Sequence, residues 1–369
     1  MSKFKVLLLA GDLFSRVPNG GSRFYERIIL DNPTVEFTSF TQDPRPSLKK
    51  PANLKVVHGL GISPNKSQME KLLNSVSGER FDVIDWPDWL LPSDHPRETL
   101  NQFRVKYGNL VTGLHGSTSS VLRYSLKYQE RHEELLSFKR LENILYKTSD
   151  GIYGISKYYA ADLGLLEKTT IVEPIHLIKK FPKTNRNRLN RNLNFLGRRD
   201  GTKGFGIFLQ LVGNLPTDWQ ANIYGPDSYI FEEACEWNRM TFLCRDRITE
   251  NRQLTEGEVA NIFNERNGAY AFLSRFDSFN LSAADALSAG QFCLLYENLP
   301  AVRYLQDLGV EIPQQMILNP NNIEKAIAIC ADFVNKPEHV DALENLRVNI
   351  QDKMSTRHEQ VCVENMYSA

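Results

Sequence analysis

Short apolar runs recur along the chain, and most are followed by a segment of helical period. Lys5–Ala10 is apolar apart from its first residue, Gly20-Gly21-Ser22 opens a helix running to Leu30, and Val35–Phe40 and Leu54–Val57 form two more short runs. Lys66–Ser77 has helical period, Phe81–Asp85 reads as a buried strand, and a helix is predicted over His95–Tyr107, followed by a strand at Asn109–Leu114. Ser119–Thr148 is long, charged and helix-periodic; Gly151–Ile155 is the next strand, and Ser156 is placed to cap the helix after it. Strand and helix alternate in a βαβ rhythm. Both sheet faces are therefore expected to be covered, which implies parallel strands joined by helices.

The rhythm breaks at Phe181–Asn190, which is polar, basic and without periodicity, as a linker is. The basic run reads first as solvated chain, with contact to phosphate or anionic lipid as the alternative. A second α/β series follows. Its strands are predicted from Asn194 to Gly197 and at Ala221–Tyr224, Thr241–Leu243, Ala269–Leu273, Phe292–Leu295 and Met316–Leu318, and its last helices at Pro337–Lys353 and Ser355–Tyr367. The expected organisation is an N-terminal Rossmann-like domain over 1–175, a linker over 176–193, a second doubly wound domain over 194–350, and a terminal segment over 351–369. Two such domains would place a cleft between the carboxyl ends of two parallel sheets.

At 369 residues the chain exceeds one ordinary core and suits two domains. Its formal net charge is zero, which argues against nucleic acid as a partner. The apolar opening Val6–Ala10 is short and runs into Gly11-Asp12, so it reads as a first strand rather than a signal peptide. No apolar run approaches the ~18–20 residues that span a bilayer. The five cysteines (Cys235, Cys244, Cys293, Cys330, Cys362) have no metal-ligand spacing and read as small buried hydrophobes of a reducing compartment. A cytoplasmic location is expected, with the inner membrane surface as an option. Leu122, Leu126, Leu135 and Leu136 lie among Arg123, Lys127, Arg131, Lys139 and Arg140, a pattern that suits a membrane surface. Glu130, Glu133, Glu134 and Glu142 dilute that charge, so the segment reads first as a solvated helix.

The most informative stretch is Ala271–Leu295: a buried strand, a short acidic loop, a helix start built of small residues, and a second buried strand. A helix N-terminus presents unpaired N–H groups and a positive dipole end, which suit a phosphate. An acidic side chain two turns further on suits the hydroxyls of a ribose. Together they point to a nucleotide-linked ligand. Asp277 and Asp285 are separated by seven residues, with Ser278, Phe279, Asn280 and Leu281 leading into the helix. Upstream, Phe195-Leu196-Gly197-Arg198-Arg199-Asp200-Gly201-Thr202-Lys203-Gly204 reads as a strand, then G-R, a loop, and K-G. Ala221–Gly225 is a strand closed by glycine. In the first half the comparable features are Asn19-Gly20-Gly21-Ser22, Asp82–Trp89, Thr112-Gly113-Leu114-His115-Gly116 and Ser149–Ser156.

In this order the motifs resemble the retaining glycosyltransferases of family 4, the group 1 glycosyl transferases, over nearly the whole chain. The resemblance implies a GT-B fold: α/β, two Rossmann-like doubly wound domains with a cleft between them and a C-terminal helix crossing back to the N-domain. It implies that Arg198 and Lys203 hold the donor diphosphate in place of a metal ion, so neither metal nor cofactor is expected. It assigns Asp285 to the donor ribose, Asp277 and His115 to the transferred sugar, and Ser278, Phe279, Asn280 and Leu281 to phosphate or sugar. Gly20, Gly21 and Gly225 would lie close to the donor, while Asp85, Trp86 and Trp89 could line an acceptor platform, with core packing the alternative for the tryptophans. The expected partners are a nucleotide-sugar, UDP- or GDP-linked, and a glycan or lipid-linked acceptor, with peripheral membrane contact as an option.

The chain departs from the family pattern in three places. Aspartates stand where E-x7-E has glutamates, Glu173 stands where the family has Asn before the linker, and Cys244-Arg245 stands where the family has a glycine. The aspartates motivate the main alternative, a GT-B protein that binds nucleotide-sugar or glycan without turnover. An epimerase or a phosphorylase is a further option, the latter without its cofactor-lysine motif. A Rossmann oxidoreductase lacks GxGxxG support here, and no DxD triplet points to a metal-dependent transferase.

Overall fold

The computed structural model describes residues 3–11, 13–14, 20–41, 50–62, 66–91, 95–124, 128–183, 190–228, 231–251, 254–265, 268–319, 322–335, 338–356 and 363–367. The chain divides into two compact units. The first comprises 1–123, 129–177 and 359–369, and the second 124–128 and 178–358.

The first unit contains β1 (Lys5–Gly11), α1 (Gly20–Asp31), β2 (Glu36–Thr41), β3 (Leu54–His58), α2 (Lys66–Ser75), β4 (Arg80–Pro87), α3 (Pro96–Gln102), β5 (Lys106–Leu114), α4 (Thr118–Arg123), α5 (His132–Thr148), β6 (Gly151–Gly154), α6 (Lys157–Asp162) and β7 (Thr169–Ile171). Its sheet has the order β3-β2-β1-β4-β5-β6-β7. Every pairing is parallel, with Val6 beside Val83 and Val83 beside Asn109. Val6, Leu7, Leu8 and Leu9 are all fully buried, as a central strand covered on both faces requires. On α1, Phe24, Tyr25, Ile28 and Ile29 face inward at helical spacing, while Leu30 is exposed. Ser156 caps α6 by accepting from the Tyr159 N–H.

The second unit contains β8 (Asn192–Leu196), α7 (Phe205–Asn214), β9 (Gln220–Tyr224), α8 (Phe231–Leu243), β10 (Ile248–Asn251), α9 (Glu256–Glu265), β11 (Ala269–Phe272), α10 (Leu281–Ser288), β12 (Phe292–Tyr296), α11 (Pro300–Asp307), β13 (Ile317–Leu318), α12 (Ile323–Asn335) and α13 (Glu338–Thr356). Its parallel sheet repeats the same scheme, β10-β9-β8-β11-β12-β13. In α10 the buried residues Ala283, Ala284 and Ala286 keep the helix slim where it packs on β12 and α13. A final helix, α14 (Val363–Tyr367), belongs to the first unit. There the Val363 N–H donates to Asn32 and the Tyr367 hydroxyl donates to Asp85 at 2.7 Å.

Four sequence expectations change. The long helix predicted over Ser119–Thr148 is two helices, α4 and α5, with a 3-10 turn at Tyr128–Arg131 between them. Leu122 and Leu135 are buried, and Glu142 is 3% exposed, accepting from the N–H and hydroxyl of Ser119. That carboxylate fastens α5 to α4 rather than diluting a charged surface. The helix expected over His95–Tyr107 stops at Gln102, and Arg104, in the left-handed region at φ 57°, turns the chain into β5. Thr241–Leu243 is the end of α8, and the strand is Ile248–Asn251, so Cys244-Arg245 precedes that strand instead of following it. The short edge strand β7 had no apolar run to announce it. Residues 184–189 of the expected linker lie outside the described residues. No helix among the described residues is long and apolar enough to cross a membrane.

Trp86 lies in the first unit's core with Leu7, Leu9, Ile84 and Leu110, fully buried, and its indole N–H donates to the Leu90 carbonyl at 2.6 Å. Trp86→Ala is therefore expected to lower stability by about 3–5 kcal/mol in urea unfolding. A change within about 0.5 kcal/mol would mark a surface residue instead.

Candidate functional site

In an open parallel sheet, ligands bind beyond the carboxyl ends of strands where the strand order reverses. In the second unit that point is between β8 and β11. Two loops leave it, Gly197–Gly204 and Leu273–Asn280, and the backbone ties them together. The Arg275 N–H donates to the Thr202 carbonyl at 2.8 Å, and a Cβ on Gly204 would lie 2.1 Å from the Leu273 carbonyl oxygen. Gly225, at the end of β9, is equally constrained: its φ is 144°, and a Cβ there would lie 2.0 Å from the Gly197 carbonyl oxygen. These close approaches place both loops at one sheet edge.

Two cations line this edge. Lys203 pairs with Asp277 across the two loops. Arg198 pairs with Asp200, which also accepts from the Thr202 hydroxyl and, at 2.9 Å, from the Lys203 N–H. The neighbouring Arg199 is 8% exposed and is held by Glu250 and Asp227, which gives it a structural partner set different from that of Arg198. Beside them α10 begins. Asn280 occupies the left-handed region at φ 71°, and its side chain accepts from the Ala283 N–H at 3.0 Å while donating to Ser274 at 3.2 Å. Asparagine tolerates this backbone better than most residues. By helix geometry the N–H groups of Leu281 and Ser282 have no intrahelical acceptor. Ser278 is half-buried, and Phe279 is 1% exposed, packed edge-on against Tyr304. The site thus offers two cations, each paired with its own carboxylate, and a helix N-terminus, an arrangement that can receive a phosphate group.

Asp285 lies one helical turn and more into α10 and is 2% exposed. Its carboxylate accepts from the Lys179 N–H at 2.9 Å, and Ser288 donates to the Lys179 carbonyl at 2.7 Å. The acidic residue singled out for a ribose therefore holds the backbone at Lys179.

The first unit contains a different polar cluster. Gly20 and Gly21 open α1, and Asn19 lies outside the described residues. One turn on, Tyr25 reaches Asp85, which also accepts from Tyr153 and Tyr367, at 3.1, 2.7 and 2.7 Å. Asp85 is fully buried, and burial pushes its carboxyl up to about 6 although the three hydroxyls pull it down. Asp88, equally buried, accepts from the N–H groups of His115 and Gly116 and from the Tyr159 hydroxyl, and burial pushes it up to about 7. His115, at the end of β5, is half-buried; its Nε2 is 3.0 Å from the Tyr25 oxygen and 3.2 Å from the Tyr153 oxygen. Burial lowers it to about 4, so the ring is neutral at pH 7. Asp85 and Trp86 therefore have no surface to offer an acceptor, and Trp89 is half-buried against the same core. Asp88, Tyr25, Tyr153, Tyr159 and Tyr367 were not singled out from sequence. Only the Asp85-x2-Asp88 spacing at a strand end could have flagged one of them. Among the described residues, no group of three His, Cys, Asp or Glu side chains is arranged to hold a metal ion.

No protein-family model matches the chain, and no curated protein matches it in sequence. Solved structures do match along its length. Sucrose-phosphate synthase from Thermosynechococcus elongatus superposes with a TM-score of 0.70 at 16% identity, covering 95% of each chain. WaaG, a glycosyltransferase involved in lipopolysaccharide biosynthesis, superposes at 0.63 with 12% identity over 97% of this chain and 96% of its own. The fold is GT-B. Anabaena HepE, solved in complex with UDP and glucose, matches with a TM-score of 0.63 at 13% identity over 97% of this chain and 96% of its own. At these identities the likeness carries the GT-B architecture alone.

The low His115 value has a signed consequence. Below pH 6.5 the unfolded imidazole takes up a proton that the folded one refuses until about pH 4. This group therefore removes stability as pH falls from 6.5 towards 4. The apparent Tm of the wild type is expected to fall more steeply over that window than that of His115→Gln, with Asp85 and Asp88 common to both. Parallel Tm profiles would contradict the neutral ring.

Proposed function

We propose that this GT-B chain is a glycosyltransferase that moves a sugar from a nucleoside-diphosphate donor to a glycan or lipid-linked acceptor, with retention at the anomeric carbon and without a metal ion. The observation that carries this reading is the pair Arg198 and Lys203 beside the N-terminus of α10 at the switch point of the second sheet. A diphosphate entering there would exchange the carboxylates of Asp200 and Asp277 for its own oxygens. The resting pairs keep both side chains oriented in the meantime. HepE, of the same fold, is the neighbour solved with UDP and glucose, which favours a UDP-sugar as the first donor to test.

In the proposed reaction the bond between the anomeric carbon and the phosphate oxygen breaks, and the acceptor oxygen bonds to that carbon on the same face. The acceptor proton passes to the departing phosphate oxygen. Arg198, Lys203 and the α10 N–H groups stabilise the charge that develops on the leaving group, the role a metal ion would otherwise fill. Asp277, released from Lys203, is left to accept from a hydroxyl of the transferred sugar. The reaction is placed in the cytoplasm or at a membrane's cytoplasmic face, where nucleotide-sugar is the donor pool.

A second reading has its own observation. Asp285 is 2% exposed and engaged with Lys179, where the resemblance implies a ribose contact. That favours a protein that binds nucleotide-sugar without turnover.

Ligand-observed NMR with UDP-, GDP-, ADP- and TDP-sugars separates the readings. Saturation transfer to one donor is expected. Lys203→Ala should weaken it roughly tenfold or more, the size of a lost charge-assisted hydrogen bond. Product of retained configuration, formed equally in EDTA, supports the transferase. Binding without product or hydrolysis supports the second reading, and a folded protein that binds no donor sinks both.

A further inference from the structure

The polar cluster of the first unit contains a proton-counting constraint. Ionised Asp85 can only accept hydrogen bonds, and each tyrosine has a single hydroxyl proton to give. Tyr25 donates to Oδ1, and Tyr153 and Tyr367 donate to Oδ2. The Tyr153 oxygen is also 3.2 Å from the Tyr25 oxygen, but the carboxylate is nearer, at 2.7 Å, and as a charged acceptor it is the stronger partner. All three protons are therefore committed to Asp85. Towards His115, Tyr25 and Tyr153 present only lone pairs, and both meet the same ring nitrogen, Nε2.

We infer that Asp85, acting through Tyr25 and Tyr153, is a positioning residue that holds His115 as its Nε2–H tautomer and so leaves Nδ1 as a hydrogen-bond acceptor for a hydroxyl-bearing ligand. A neutral ring with a proton on one nitrogen has a lone pair on the other. Among the described residues, Nδ1 has no hydrogen-bond partner. The packing leaves the ring little room to turn over. Phe24 lies edge-on to it at 5.3 Å, Tyr25 is 5.1 Å away, and Tyr153 lies edge-on at 5.8 Å. A Cβ on Gly113 would sit 2.4 Å from the Tyr153 oxygen and 2.6 Å from Nε2, so the residue two before the histidine must be glycine for the three groups to meet. Such a histidine accepts from a hydroxyl and offers no proton to a phosphate or carboxylate. That the hydroxyl belongs to a sugar rests on the proposed function; the tautomer does not.

The test is the long-range 1H–15N spectrum of the 15N-histidine protein at pH 8, where Asp85 is ionised. The His115 signals are assigned by their loss in His115→Gln, since the chain has seven histidines. The expected wild-type pattern has a protonated Nε2 and an unprotonated Nδ1. In Asp85→Asn the tyrosines regain protons to offer, and the pattern should move towards the Nδ1–H form. The double variant Tyr25→Phe with Tyr153→Phe should likewise lose the preference for Nε2–H and serves if the asparagine variant does not fold. A wild-type Nδ1–H pattern, or an even mixture, overturns the inference. An unchanged pattern in whichever of these variants folds overturns the role given to Asp85. A UDP-sugar that shifts Nδ1 while leaving Nε2 protonated supports both the tautomer and its ligand. The expected tautomer in a protein that binds no nucleotide-sugar supports the tautomer and counts against the sugar.

Discussion

Parallel strands covered on both faces leave a chain few places to keep polar chemistry. The central strands of both sheets here are buried from end to end, as Val6–Leu9 shows in the first unit and Ala269–Phe272 in the second. Charged side chains can reach solvent or a ligand only past the carboxyl ends of those strands. Arg198, Lys203, Asp277, Asp88 and His115 all lie there; Arg198, Lys203 and Asp277 are part-exposed, while Asp88 is fully buried among its donors. The same constraint explains the glycines at these edges. Loops that leave adjacent strands must cross at backbone contact, and Gly204 and Gly225 each lie where a Cβ would meet a carbonyl oxygen at about van der Waals overlap.

The two units use their edges differently. At the second sheet the charges are paired but accessible, with the Lys203 side chain 29% exposed and Arg198 22%. Their carboxylate partners are less exposed, Asp277 at 10% and Asp200 at 5%. At the first sheet the carboxylates of Asp85 and Asp88 are buried and surrounded by six donors, four tyrosine hydroxyls and two backbone N–H groups, from other parts of the chain. A buried carboxylate without such donors would be costly, and with them it becomes a rigid fixture. The second cluster leaves its cations part-exposed, whereas the first encloses its carboxylates among fixed donors.

Much of the architecture was legible in the chain. Strand runs such as Lys5–Ala10 and Ala269–Leu273 fall within a residue or two of the observed elements, because strands covered on both faces are dominated by apolar residues. The loop and cap residues of the second site were legible for a similar reason. A strand, a glycine, a cation and a helix start have to be close in sequence to be close in space, and Asn280 lies within a few residues of Asp277. The errors fell where sequence patterns are degenerate. Thr241–Leu243 is apolar enough for a strand but continues α8, and the periodic stretch from Ser119 conceals a break that returns α5 against α4.

The sequence by itself determined the two α/β series, the parallel strands and the short-range motif that brings cations to a helix N-terminus, because each depends on periodicity or on neighbours along the chain. The tertiary structure alone decided which carboxylates are surface groups and which are fixtures. Asp85 meets Tyr25, Tyr153 and Tyr367 from 60, 68 and 282 residues away, and Asp285 meets Lys179 from 106 residues away. An aspartate carries no mark of its future burial. Its protonation, its partners and the role left to it are set by donors that only the folded chain brings within reach.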